Sequence, residues 1–134
     1  MPLPIRTVDV EGYRSLRRVR LPLDDLTVFV GANGVGKTNL YRALQLLQAA
    51  AAGTLSREIA AEGGMAAALW TGRRSPGKPV RIRLGVEVAD GQQAYAYEVE
   101  IGLVSQVNDN GIRAVLAAGF LDEPQIKEES LSFI

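Results

Sequence analysis

The 134-residue chain contains no cysteine and no histidine. Without cysteine it forms no disulfide and offers no thiolate to a metal. Without histidine it holds no Ser-His-Asp triad, no His-ligated zinc and no imidazole general base. Charge of one sign is also missing: 15 Lys+Arg balance 15 Asp+Glu. The whole-molecule balance therefore argues for neither nucleic acid nor an anionic membrane as a partner. No apolar run approaches the roughly 18 residues of a membrane span. The opening, MPLPIRTVDVEG, lacks the basic stretch and apolar core of a signal peptide. These absences predict a cytoplasmic protein without a membrane partner. With 47% apolar and 22% charged residues, the composition is that of a globular domain with a real core.

What is present is organised by two periods. Residues 5–10 (IRTVDV) and 16–21 (LRRVRL) read as short strands, with a hairpin connection through Gly12. VRIRLGVEV (80–88) and YAYEVEIGL (95–103) alternate apolar and polar residues around Asp90-Gly91, a hairpin turn. One apolar and one polar face predict an antiparallel sheet covered on one side. Leu26–Val30 is apolar except for Thr27, the pattern of a strand buried on both faces. From Lys37 the period becomes helical, with Leu40, Leu44, Leu47 and Ala51 on one face and Gly53 as the stop. Residues 56–62 read as a short helix broken by Gly63-Gly64, residues 65–70 as an apolar cluster, and 71–79 as a polar loop. ESLSFI (129–134) begins a further alternating strand, so a longer protein is expected.

Between the buried-strand candidate and the helix lies GANGVGKTN, residues 31–39. Gly31-x4-Gly36-Lys37-Thr38 is a P-loop pattern, and its placement is what the mechanism requires. Gly31, Gly34 and Gly36 permit backbone angles closed to other residues and let the main chain approach phosphates. Loop N–H groups converge on the anion, and the helix start adds its dipole. Lys37 would reach the terminal phosphates, and the Thr38 hydroxyl would ligate Mg²⁺. No N/T-K-x-D guanine motif is present, which disfavours a GTPase.

The turn Tyr13-Arg14-Ser15, an apolar strand and then GANGVGKTN resemble the N-terminal lobe of the SMC/RecF-type ATPases, a branch of the ABC class. The close match spans residues 5–48, and Asn33 and Asn39 are its family-flavoured positions; the Tyr-rich strand at 95–103 also resembles uncharacterised predicted ATPases of this group. Glu11-Gly12 stands where the family often has Asn, and Tyr13 replaces Phe. The resemblance implies an α/β P-loop fold of ABC lobe I type with a mixed or antiparallel sheet, and the expected core is the strand at 26–30 packed on the helix at 37–51. It implies ATP and Mg²⁺ as cofactors, held by Arg14, Gly31, Asn33, Gly34, Val35, Gly36, Lys37, Thr38 and Asn39. It also implies a head-to-head homodimer in which a second head completes the nucleotide site, and DNA as a candidate partner.

Hydrolysis needs an acidic pair, one residue for Mg²⁺ and one for water. FLDEP (120–124) offers Asp122 and Glu123, or else is an acidic turn. Three features count against a catalytic pair. The preceding AVLAAG is a poor buried strand, no LSGGQ-like signature comes first, and Asp122 follows Lys37 by only 85 positions (122 − 37). Gln106 and Gln125 are both candidates for the glutamine loop. The expectation is a phosphate-binding N-terminal part, residues 1–134, without the hydrolytic half and nearly inactive alone. The competing class is a non-catalytic interaction module on a P-loop scaffold. Arg14, Arg17, Arg18 and Arg20 form one basic cluster and Arg73, Arg74, Lys78, Arg81 and Arg83 another. Each reads either as a phosphate track or as a solvated strand face.

Overall fold

Strands of period two supply most of the order. The computed structural model describes residues 3–32, 34, 36–70, 72, 81–103 and 124–134. In chain order the elements are β1 (Ile5–Tyr13), β2 (Leu16–Pro22), α1 (Lys37–Ala52), α2 (Leu55–Ala61), α3 (Met65–Ala68), β3 (Arg81–Asp90), β4 (Gln93–Leu103) and β5 (Pro124–Phe133). The strands make one sheet in the order β2-β1-β3-β4-β5, with every neighbouring pair antiparallel. The architecture is α/β, with helices on one face of an antiparallel sheet.

Alternation sorts the two faces. Val8 and Val10 of β1, Ile82 and Leu84 of β3, and Val99 and Ile101 of β4 are all buried on the inner face. Leu40, Ala43, Leu46, Leu47 and Ala50 of α1 close over them, joined by Leu55, Ile59, Met65 and Ala68 from α2 and α3. The helical stripe is rotated slightly from the leucine pattern: Leu44 is only half-buried and Ala51 exposed. Small Ala43 and Ala50 let the helix sit close to the sheet, so alanines form part of the seam. Gly53 ends α1 as expected, left-handed at φ 78°, with its N–H on the Ala49 and Ala50 carbonyls.

The outer face carries the charges, and the register pairs them. Arg18 lies opposite Glu11 and Arg20 opposite Asp9, while Arg83 lies opposite Glu100. Arg20 bonds Asp9 at 2.7 Å and Glu87 at 3.0 Å; Glu100 takes Arg81 at 3.1 Å and Arg83 at 3.7 Å. Exposed pairs of this kind add little to stability. Their clearer effect is on register, since a one-residue slip would set Arg20 opposite Val8 or Val10 and Arg83 opposite Val99 or Ile101. Arg20, Arg81 and Arg83 are thus paired with carboxylates of neighbouring strands.

Four expectations are corrected. Gly12 is not the hairpin connection. It lies inside β1 at φ +76°, and the β1–β2 turn is Arg14-Ser15. The terminal strand does not begin at 129: β5 starts at Pro124 and pairs with β4 from Leu103 back to Tyr95. Leu26–Val30 is not a buried strand; it pairs with no described strand, and Leu26, Val28 and Val30 are 83, 73 and 91% exposed. A strand buried on both faces needs paired edges and a layer on each side. Among the described residues the single sheet and its one helical layer supply neither. Finally, the core is accordingly α1 against the antiparallel sheet, not α1 against residues 26–30. The loop at 71–79, apart from Gly72, lies outside the described residues, as do Gln106, Asp122 and Glu123.

Gly12 gives a direct test. A Cβ there would stand 2.4 Å from the Arg81 carbonyl oxygen, whereas at Gly91, φ +56° in the β3–β4 turn, it would meet nothing within 4 Å. Gly12→Ala is expected to destabilise the protein by about 3 kcal/mol or more, combining backbone strain with displacement of β3. Gly91→Ala is expected to cost about 1 kcal/mol. Urea unfolding of both variants checks this; equal losses would contradict the strand-internal role of Gly12.

Candidate functional site

The glycine loop meets helix α1 at Gly36, which caps the helix in the left-handed region at φ 104°. A side chain there would be strained by the backbone alone, and its Cβ would also press on the Ser15 Oγ at 3.2 Å and the Leu16 Cδ2 at 3.3 Å. The missing side chain thus lets the β1–β2 turn rest on the base of α1. Gly34, at φ +89°, has the opposite surroundings: nothing lies within 4 Å of its Cβ position. One glycine is needed for contact, and the other opens the loop to solvent.

The start of α1 is arranged to receive an anion. Gly36 makes no side-chain cap, and no acidic residue occupies the first turn. The first N–H groups of a helix lack partners within the helix, and the dipole places about half a positive charge there. Lys37 and Thr38 are both exposed at this end. The Lys37 ammonium donates to the Gly31 carbonyl, closing the loop on itself. Asn39 donates from Nδ2 to the Ser15 Oγ at 2.7 Å, fastening the helix to the hairpin turn. The turn and the loop, separate in the sequence, are in contact here. Asn33 and Val35 lie outside the described residues.

Arg14 is held on the other side of the same turn. It is the non-glycine residue with positive φ, 48°, among the described residues. Its N–H donates to the Ala68 carbonyl at 2.9 Å, and Trp70 N–H donates to the Gly12 carbonyl at 2.8 Å. Its guanidinium meets the Glu62 carboxylate at 3.3 Å and donates from Nε to the Tyr13 hydroxyl at 3.3 Å. The Tyr13 hydroxyl in turn donates to Glu62, with its oxygens at 2.7 and 2.8 Å. Burial, then the bond to Glu62, pushes the Tyr13 hydroxyl well above its ordinary pKa, so it keeps its proton as donor. Glu62 has no signal in the sequence. It follows α2 directly before Gly63-Gly64, and only the need of a buried tyrosine for a hydroxyl partner would have pointed to it.

The donors gathered here suit a phosphate group: free-ended helix N–H groups, an ammonium, a hydroxyl and an open glycine backbone. Thr38 is the residue present that fits a phosphate-bound Mg²⁺. Among the described residues no group of three potential metal-ligating side chains occurs. Gln125, one of the two glutamine-loop candidates, lies exposed on β5 and accepts from Lys127.

A glycine turn that opens an uncapped helix at Lys-Thr defines a phosphate cradle of the P-loop NTPase kind. A family model described as AAA ATPase domain matches residues 4–88, more than half of the chain, and the chain belongs to that family. The OLD nuclease of Thermus scotoductus (strain ATCC 700910 / SA-01) is similar over 43 residues at 42% identity, which is 32% of this chain and 8% of the nuclease. The chain therefore matches under a tenth of that relative's length. No solved structure matches. No helix among the described residues is long and apolar enough to cross a membrane.

The tyrosines make the molecule sensitive to alkali. Partial burial and the bond to Glu129 push Tyr97 up to about 12, and Tyr13 is raised as well. A raised phenolic pKa means that the unfolded chain loses its proton first. This contribution is intact below about pH 10, the unfolded value, and is lost as pH rises through the folded one. Thermal midpoints are expected to fall from pH 10 to about 12, less steeply in Tyr97→Phe. An identical slope in that variant would contradict the assignment.

Proposed function

We propose that residues 1–134 are the ATP-binding N-terminal part, of ABC lobe I type, of a RecF/SMC-like ATPase head. The observation that carries this reading is the contact between the Arg14-Ser15 turn and the glycine-capped start of α1. Two stretches, joined by the Asn39–Ser15 bond across 24 positions, converge there on one anion-suited surface. In this reading the N–H groups of Gly34, Gly36, Lys37 and Thr38 would hold the phosphate tail of ATP. Gly31 begins the turn, and Lys37, which donates to the Gly31 carbonyl here, would hold the terminal phosphates. Thr38 would ligate Mg²⁺, and Asn39 fastens the helix start to the turn through Ser15. When bound, Mg²⁺·ATP supplies the phosphoanhydride to be cleaved and the metal that offsets its charge; the residues just named bind and orient it.

The exposure of Leu26–Val30 supports a head completed by further chain. An apolar segment leading into the cradle suits the centre of a second sheet, whose remaining strands would bring the acidic pair and the signature motif. Two heads closing on ATP as a homodimer would then act as a switch. A role in DNA maintenance is proposed from the RecF-type resemblance and the likeness to the OLD nuclease. The pairing of Arg20, Arg81 and Arg83 with Asp9, Glu87 and Glu100 disfavours the outer sheet face as the DNA contact.

Calorimetry with Mg²⁺ and ATP on the whole natural polypeptide tests the reading. Lys37→Ala is expected to weaken binding at least about tenfold, the loss of one charge-assisted contact of about 1.5–3 kcal/mol. Thr38→Ala is expected to remove most of the Mg²⁺ dependence while leaving metal-free binding. Affinity untouched by Lys37→Ala would overturn the assignment and favour a non-catalytic module.

A further inference from the structure

We propose that Glu62 is a positioning residue of the nucleotide site: it holds Arg14 in a neutral pair, and the phosphate tail has to draw the guanidinium away from it. The proposal rests on the reading of Gly31–Asn39 as the phosphate cradle. Arg14 and Ser15 are consecutive in a two-residue turn, yet their side chains have different partners. Ser15 touches the cradle through Asn39 at 2.7 Å and through Gly36. Arg14 lies instead over the Tyr13 ring and against Glu62. The guanidinium is thus one residue away from the cradle and engaged elsewhere.

Three features make this pair a restraint on binding. It is well shielded, with Arg14 and Glu62 side chains only 20 and 15% exposed, so water weakens it less than a surface pair. The carboxylate is anchored independently of Arg14, by the hydroxyl of the fully buried Tyr13. The turn is anchored independently of Glu62, by the Arg14 N–H on the Ala68 carbonyl and the Trp70 N–H on the Gly12 carbonyl. The guanidinium can therefore exchange partners while the backbone stays in place. While paired, its charge is cancelled and adds little to the field at the loop. Once released, it adds a full positive charge beside a polyanion.

The consequence has a definite sign. Glu62→Gln keeps an oxygen for Tyr13 and Arg14 but removes the charge, so it is expected to tighten Mg²⁺·ATP binding about three- to tenfold. Removing a negative charge also favours an anion through space, so the decisive comparison is made in the absence of Arg14. In an Arg14→Ala background, Glu62→Gln is expected to change affinity less than about twofold. Calorimetry on the whole natural polypeptide, with Lys37→Ala in the same series, separates the outcomes. If Lys37→Ala abolishes binding while Glu62→Gln leaves it unchanged or weaker, or tightens it equally without Arg14, this proposal fails and the cradle reading stands. If the wild-type protein binds no triphosphate, both fail. A measurement that needs no substitution covers a variant that fails to fold. The Arg14 Nε–H resonance of the wild-type protein is expected to shift on adding Mg²⁺ and a non-hydrolysable ATP analogue, and an unmoved resonance would overturn the proposal.

Discussion

The close approach of the β1–β2 turn to the base of α1 is the constraint from which the site follows. It depends on a missing side chain. Gly36 supplies the left-handed cap, and its Cβ position falls 3.2 Å from Ser15 Oγ. With that contact made, Asn39 reaches Ser15 and the helix start faces outward without a capping side chain or an acid. A bulkier residue at Gly36 would push the turn from the helix.

The rest of the fold holds these two pieces in place. Helix α1 lies across the inner faces of β1 and β3, where Val8, Val10, Ile82 and Leu84 are buried. Helices α2 and α3 then fold back to the turn and fasten it through Ala68, Leu69 and Glu62. The position of the turn is thus fixed from both sides, by α1 through Ser15 and by α2–α3 through Tyr13 and Arg14. The outer face takes no part in this. Its charges pair across strands and keep the register on which the inner face depends.

Much of this was legible in the chain, and the limits have physical causes. The hairpin of β3 and β4 was clear because alternation and Asp90-Gly91 agree. The start and stop of α1 were clear because Gly36 and Gly53 do what only glycine does cheaply. The glycine loop was recognisable because phosphate chemistry restricts both residue type and spacing. Gly12 was misplaced because a glycine inside a strand and one in a turn look alike; only the Arg81 carbonyl on the neighbouring strand distinguishes them. Leu26–Val30 was read as buried because its composition reports what the segment prefers, and whether neighbours are present is decided elsewhere. Glu62 was invisible because a carboxylate beside two glycines carries no period and no motif. Its meaning comes from Tyr13, forty-nine positions earlier. Belonging to the AAA ATPase domain family, as the match over residues 4–88 shows, agrees with the loop.

The central claim is that the hairpin turn and the start of α1 make one phosphate cradle. Backbone amide resonances of the protein, followed while Mg²⁺·ATP is added, test it most directly. The account predicts that the amides of Gly34, Gly36, Lys37 and Thr38 shift together with those of Arg14 and Ser15, while Arg83, Gly85 and Glu98 on the outer face stay still. Shifts confined to the outer face, or none at the helix start, would contradict it.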